Sequence, residues 1–122
     1  MADSLFERLG GTEGITTITR DIIQRHLVNP DIKVRFTESA NIDFAQLEQR
    51  VIEFFTVGSG GPGDYSGRDM ATAHANMNIN ERELISGMND ILGAVKAYGV
   101  TDDTYNDVLA ILYSLKDEVM FQ

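Results

Sequence analysis

The stretch that decides the fold is GGPGDYSGRDMATAH, residues 60–74. A short helix is predicted over residues 68–77, where His74 shares one helix face with Met70 and Met77, four residues before it and three after it. A lone histidine on an apolar face is more often a core residue bonded to a carbonyl than a metal ligand. However, a helix this short is marginal in water, and a planar apolar cofactor whose metal binds the imidazole would give it order.

Upstream of this stretch, apolar residues recur at intervals of three and four, which predicts helices rather than strands. Ser4, with Glu7 three residues later, can cap a first short helix that a double glycine ends. A second, amphipathic helix is predicted from Thr12 to Asn29, just before Pro30. Its apolar stripe consists of Ile15, Ile18, Ile22, Ile23 and Leu27.

A bulky, aromatic helix is predicted next, after a short connection over residues 31–36. Asp43, with Gln46 three residues later, can cap this helix. Its apolar stripe consists of Phe44, Leu47, Val51, Phe54 and Phe55. An irregular loop is expected over residues 56–67, because this segment is rich in glycine and has no periodicity.

Two further helices are predicted downstream. Asn80 and Glu83 form a capping box for a long helix that Gly99 ends, and Thr101 begins the last helix. The stripe of the long helix consists of Leu84, Met88, Ile91, Leu92 and Val95. The stripe of the last helix consists of Tyr105, Val108, Leu109, Leu112 and Leu115. No strand pattern is found, so the expected fold class is all-α.

The composition limits the class of protein. The 122 residues suit a single domain over residues 1–122. A net charge of -9 disfavours nucleic acid and membrane surfaces as partners, since both are anionic. The absence of cysteine excludes disulfides, thiolate nucleophiles and iron–sulfur clusters. The amino terminus has no signal-peptide pattern and no apolar run approaches a membrane span, so a cytoplasmic location is expected.

Motifs for other chemistries are missing from the sequence. There is no GxSxG elbow, EF-hand or HExxH pattern, and the glycine-rich loop lacks the Lys-Ser/Thr ending of a P-loop. The sequence therefore predicts no catalytic residues.

The order of these segments resembles that of the group 1 truncated haemoglobins, over nearly the whole chain. The resemblance is carried by LFERLGGTEGI at residues 5–15, EFF at residues 53–55, residues 60–74 and the capped helix pair that follows. Gly10–Gly11 and Gly60–Gly61 match the two glycine motifs of that family, and Gly67, Arg68, Met70 and His74 match the stretch that carries its proximal haem ligand.

The resemblance implies a two-over-two helical sandwich around haem b (iron protoporphyrin IX). It implies that His74 is the axial ligand of a five-coordinate iron that reversibly binds a diatomic gas, namely O2, CO or NO. The other ring nitrogen would bond a carbonyl or water. Arg50 and Arg68 are the candidate partners of the propionates. The implied contacts of the cofactor are Phe36, Leu47, Arg50, Phe54, Phe55, Arg68, Met70, His74, Ile79, Leu84, Met88 and Leu112.

The distal side departs from the family pattern. Ile23 stands where a tyrosine usually stands, and Leu47 and Val51 stand where glutamines or other polar residues often occur. The expected distal pocket consists of Ile22, Ile23, Phe36, Leu47 and Val51. Without a hydrogen-bond donor, oxygen should leave faster, and preference should shift toward CO and NO. A one-residue shift in register would bring Gln46 or Gln49 into this site.

His26 is interpreted as a histidine that complements the dipole at the end of its helix. It lies one turn beyond Ile23, and three helical residues displace a side chain by about 5 Å along the axis. A second iron ligand at this position is therefore not expected.

Two alternative functions remain open. A haem enzyme could act on nitric oxide, as a dioxygenase does, on other small nitrogen oxides or on peroxide, and turnover with an electron donor would distinguish it. A haem-free helical module could serve interaction or phosphotransfer through His74, and the absence of a haem spectrum would distinguish it. A reductase that keeps the iron ferrous is a further expected partner.

Overall fold

The computed structural model describes residues 3–37, 42–65, 67, 70, 74 and 78–120. In this part of the chain the helices are α1 (Leu5–Arg8), α2 (Gly11–Val28), α3 (Val34–Thr37), α4 (Phe44–Gly58), α5 (Glu81–Tyr98), α6 (Asp102–Ser114) and α7 (Lys116–Val119). The described residues contain no strand, only an isolated bridge between Ile79 and Met120. Within the same ranges, no helix is both long enough and apolar enough to cross a membrane.

Helix α2 lies at the centre of the packing. It contacts both α4 and α5, while α5 also contacts α6, and the short α1 packs against α2 and α6. The buried hydrophobic cluster consists of Leu9, Ile15, Ile18, Ile22, Met88, Leu92, Ala94, Val95, Val108 and Leu112. The core is therefore formed mainly by one face each of α2, α5 and α6, as the apolar stripes predicted.

Four predicted helix starts are confirmed by their caps, whereas α2 begins at Gly11, one residue before the predicted Thr12, and has no side-chain cap. The side chains of Ser4, Asp43 and Thr101 each accept a hydrogen bond from the backbone N–H three residues later. Asn80 and Glu83 form a complete capping box at the start of α5. At the other end of α5, Gly99 has φ +96°, a left-handed conformation that stops the helix.

The close approach of α1, α2 and α5 depends on small residues. Gly10 has φ +89°, and a methyl group placed on it would overlap the hydroxyl of Tyr98. A methyl group on Gly14 would overlap the carbonyl oxygen of Leu9 and lie 2.8 Å from the same hydroxyl. Glycine is therefore required where the chain turns from α1 into α2.

The end of α4 differs from the prediction. The helix continues through Gly58, although the sequence predicted a loop from residue 56. Ser59 donates from its N–H and its hydroxyl to the carbonyl of Phe55, and its own carbonyl accepts from the N–H of Phe6 at 2.9 Å. A contact with the distant α1 thus stabilises the last turn, which local periodicity could not indicate.

Two predicted core residues are exposed. Leu109 is 36% exposed because α6 turns Val108 and Leu112 inward, so the neighbouring position faces outward. Phe44 is 41% exposed at the first position of α4. The turn of helix in α3 and all of α7 were not predicted. The predicted helix over residues 68–77 lies outside the described residues, except for Met70 and His74.

Candidate haem pocket

The geometry of His74 suits metal binding through one ring nitrogen. The backbone N–H of His74 donates to the carbonyl oxygen of Met70 at 3.1 Å, and the ring Nδ1 lies 2.8 Å from the same oxygen. Because a carbonyl oxygen only accepts, Nδ1 carries a proton, and in the neutral imidazole Nε2 then has the free lone pair. The half-buried ring is held in one orientation, and the neutral tautomer with its proton on Nδ1 is the form of imidazole that binds a metal through Nε2.

The apolar face of α4 is only half-buried. Thr56 is the buried residue of this helix, whereas Leu47, Val51, Phe54 and Phe55 are each partly exposed. The Phe54 ring meets Phe55 at 5.9 Å and Tyr65 at 5.6 Å between centroids, both edge to face. A partly exposed aromatic face of this size fits a planar apolar group such as a porphyrin.

The expected distal residues divide into two sets. Ile22 is 3% exposed and belongs to the hydrophobic core, while Ile23, Leu47 and Val51 are half-buried. Gln46 and Gln49 are both exposed. These three half-buried side chains carry no hydrogen-bond donor, and their place in a distal pocket stays a prediction.

A protein-family model described as bacterial-like globin matches residues 4–121. This chain belongs to the bacterial-like globin family.

Curated relatives of this globin are group 1 truncated haemoglobins. The Synechocystis sp. protein GlbN is 30% identical over 112 residues, which cover 88% of each chain. The Tetrahymena pyriformis protein is 23% identical over 117 residues, which cover 96% of this chain and 94% of the relative. The resemblance found in the sequence is therefore confirmed, and with it the class of a gas-binding haem protein.

Solved structures of truncated haemoglobins confirm the fold. The Fe(III) form from Tetrahymena pyriformis superposes with a TM-score of 0.91 at 22% identity, covering 98% of this chain and all of that one. The 2/2 haemoglobin of Synechococcus sp., in the cyanomet state with covalently attached haem, gives a TM-score of 0.86 at 22% identity, covering 97% of this globin and 98% of that chain. The all-α, two-over-two architecture is therefore correct.

The other residues of this globin that are expected to contact the cofactor differ in burial and in their partners. Met88 and Leu112 are each 8% exposed within the core, and Leu84 packs against that core. Ile79 is half-buried, next to its bridge with Met120. Arg50 donates to Glu53 on its own helix at 3.1 Å, so its guanidinium already lies beside a carboxylate. Arg68 lies outside the described residues.

His26 has partners that the sequence did not reveal. Its Nδ1 lies 2.8 Å from Oδ2 of Asp90 on α5, and its ring stacks on Phe36 with 5.7 Å between centroids. The interpretation as a residue that only complements the helix dipole was therefore incomplete. Asp90 is 64 positions away in the chain, so no local pattern could have indicated the contact.

The short α3 is tied to the start of α5 through one carboxylate. The Nε of Arg35 donates to Oε2 of Glu83 at 2.8 Å, and its Nη2 donates to Oε1 at 2.9 Å, a two-pronged contact. The same Glu83 side chain accepts from the N–H of Asn80 at 3.3 Å in the capping box. Phe36 is thus held next to a rigid helix start.

Within the described residues, no group of three or more His, Cys, Asp or Glu side chains could hold a bare metal ion. Haem needs only one protein donor, because the porphyrin supplies four nitrogens. The single oriented imidazole of His74 and the aromatic face of α4 are of the kinds that fit this group.

Proposed function

We propose that this globin holds haem b through Nε2 of His74 and reversibly binds a diatomic gas in an apolar distal pocket. The observation that carries the proposal is the hydrogen bond from Nδ1 of His74 to the carbonyl of Met70, 2.8 Å long. This bond keeps the proton on Nδ1 and leaves Nε2 available to a metal. Haem, when bound, supplies an iron atom that coordinates small gases reversibly.

The side chains of the chain would hold and shield this group. Phe54 and Phe55 would cover its apolar surface, together with Phe36, Ile79, Leu84 and the other contacts named above. Leu47 and Val51 would keep water away from the distal side, because their side chains are wholly apolar. Arg50 is proposed to reach a propionate in addition to its contact with Glu53.

The distal pocket decides which gas is favoured. Ile23, Leu47 and Val51 have no group that can donate a hydrogen bond, and the exposed Gln46 and Gln49 support the register that places these three inside. A donor to a charged acceptor contributes about 1.5–3 kcal/mol. We therefore expect oxygen to leave quickly and CO and NO to be favoured.

The gas preference can be measured directly. The ratio of CO affinity to O2 affinity is expected to exceed that of a relative with a distal tyrosine. Installing the donor with Ile23→Tyr should slow oxygen dissociation by about tenfold or more. The control is Leu47→Ile, which changes an expected distal side chain without adding a hydrogen-bond donor. Ile22→Tyr would not serve, because Ile22 is buried in the core. Equal affinity ratios in this globin and the relative would contradict the proposal.

The first experiment is the visible spectrum of the purified protein in the ferric, reduced and CO-bound forms. A Soret band that shifts with CO and collapses in His74→Ala is expected, since that variant has no axial nitrogen. His26→Ala is the matched control and should leave the band position unchanged. Absence of a Soret band after addition of haemin would refute the proposal.

We expect one domain over residues 1–122, a cytoplasmic location and a reductase that keeps the iron ferrous, with neither nucleic acid nor a membrane as partner. The acidic net charge of -9 supports the last two expectations. Cell fractionation and reduction of the ferric protein by a cell extract would test the location and the reductase.

A further inference from the structure

His26 joins three elements of the globin. It lies in the last turn of α2, its Nδ1 is 2.8 Å from Oδ2 of Asp90 on α5, and its ring stacks on that of Phe36 in α3. The ring planes are inclined by only 21°, with 5.7 Å between centroids. His26 and Asp90 are each 17% exposed at the side chain, so the contact is largely shielded from water.

The carboxylate of Asp90 fixes the plane of the imidazole. A carboxylate oxygen accepts, so Nδ1 of His26 is the donor. The same Oδ2 accepts a second hydrogen bond, from Nδ2 of Asn29 at 2.9 Å, and this amide also donates to Ser86 at 2.8 Å. The carboxylate is therefore held by two donors from the end of α2, and the imidazole it binds has little freedom to rotate.

The ring of Phe36 depends on such neighbours for its orientation. Helix α3 has four residues, too few for a helix to be stable by itself. The guanidinium of Arg35 anchors α3 to Glu83 on α5. The ring of Phe36 is oriented separately, by stacking on the imidazole of His26. A parallel contact between two rings restricts the plane of each one.

We propose that His26 is a positioning residue. Held by Asp90, it fixes the plane of the Phe36 ring, and the fixed ring slows the loss of the cofactor. The proposal rests on the proposed function, because the contact of Phe36 with the porphyrin is expected from the family. His26 itself touches neither cofactor nor gas. Its effect is expected on haem loss and not on the position of the Soret band.

The experiment compares three substitutions that separate the ring from the hydrogen bond. His26→Phe keeps a ring without the bond to Asp90, His26→Asn keeps a donor without the ring, and His26→Ala removes both. Haemin loss from the ferric protein to an excess of a haem-free globin is followed by absorbance. Ring-proton shifts of Phe36 are measured by NMR in the CO-bound protein.

We expect haemin loss to be about three- to tenfold faster in His26→Ala and His26→Asn. His26→Phe should lie between these variants and the unsubstituted protein. The Phe36 ring shifts should move in His26→Ala and His26→Asn. A matched control should leave both measurements unchanged: Arg8→Ala, which breaks the pair with Asp107 between α1 and α6, away from His26.

Several results would overturn the proposal. If the rate of haemin loss is unchanged in His26→Ala, His26 has no role in retaining the cofactor. If it is unchanged in His26→Asn, the hydrogen bond to Asp90 suffices and the imidazole ring is not needed. Unchanged loss in His26→Phe would remove the role of Asp90. Equally fast loss in Arg8→Ala would show general loosening of the fold. Failure of the unsubstituted protein to bind haemin would refute the proposed function as well, and so differs from all of these.

Discussion

Thr19 is the one residue in the described part of the chain with a buried side-chain polar atom that lacks a hydrogen-bond partner. Its side chain lies on the inner face of α2 and is fully buried. The neighbouring Thr16 and Thr17 donate instead to the carbonyls four residues earlier, at 2.8 and 3.1 Å. A buried hydroxyl without a partner costs about 1–3 kcal/mol of stability.

Thr19→Val should therefore stabilise the protein. Valine has the same shape without the hydroxyl, so we expect the free energy of unfolding to rise by about 1 kcal/mol. The measurement is urea unfolding of the haem-loaded ferric protein. Thr17→Val on the exposed face is the control and should change stability by less than about 0.5 kcal/mol. A loss of stability in Thr19→Val would mean that the hydroxyl is hydrogen-bonded, for example to a buried water.

Single candidate residues are predictable where the signal is local. His74 was singled out because Met70, four residues earlier, shares its helix face, and the family resemblance made it the expected iron ligand. That role stays a prediction, and the same turn supplies the carbonyl that orients the ring. His26 gave no such signal. Its partner Asp90 and its stacking partner Phe36 come from other helices, so only the folded chain brings them together.

Two helical glycines show how the elements restrict the sequence. Gly14 lies in the first turn of α2, where a methyl group would overlap the carbonyl of Leu9. For Gly58, the last residue of α4, no atom beyond its chain neighbours and the nearby backbone of its own helix lies within 4 Å of where a methyl group would be. The same substitution should therefore have opposite effects in the two helices.

Gly14→Ala is expected to lower the free energy of unfolding by about 2–3 kcal/mol, because backbone must move to admit the methyl group. Gly58→Ala should raise it by about 0.5 kcal/mol, since alanine is the better helix former. Thermal unfolding of both variants, beside the unsubstituted protein, measures the difference. A stable Gly14→Ala would show that α1 can shift away from α2 at little cost.

Helix starts were predictable, and some helix ends and faces were not. The caps at Ser4, Asp43, Asn80 and Thr101 join residues only three positions apart, so a short stretch of sequence is enough to predict them. The end of α4 depends on the N–H of Phe6, which lies more than fifty positions earlier. Neither this contact nor the bridge between Ile79 and Met120 leaves a local pattern.

At the scale of the whole molecule, α2 is the helix on which the others assemble. It packs against both α4 and α5, and its buried residues belong to the core. The short α1 and α7 contain no buried residue. The stability of local regions should therefore differ widely along the chain.

Amide hydrogen exchange should follow this arrangement. Exchange is expected to be slowest at Ile18 and Ile22 in α2 and at Leu92 and Val95 in α5, because these amides open only with the core. Exchange should be fastest in α7, which has four residues. NMR of the CO-bound protein measures each rate. Equal protection in α2 and α7 would contradict this order.

The two roles of Glu83 link the short helix α3 to the start of α5 thermodynamically. One carboxylate closes the capping box of α5, just after the segment that contains His74, and also holds the Arg35 guanidinium beside Phe36. Coupling between sites is reciprocal. A change in the capping box at the start of α5 therefore alters the anchor of α3, and any strain on α3 is transmitted back to the start of α5 by the same side chain.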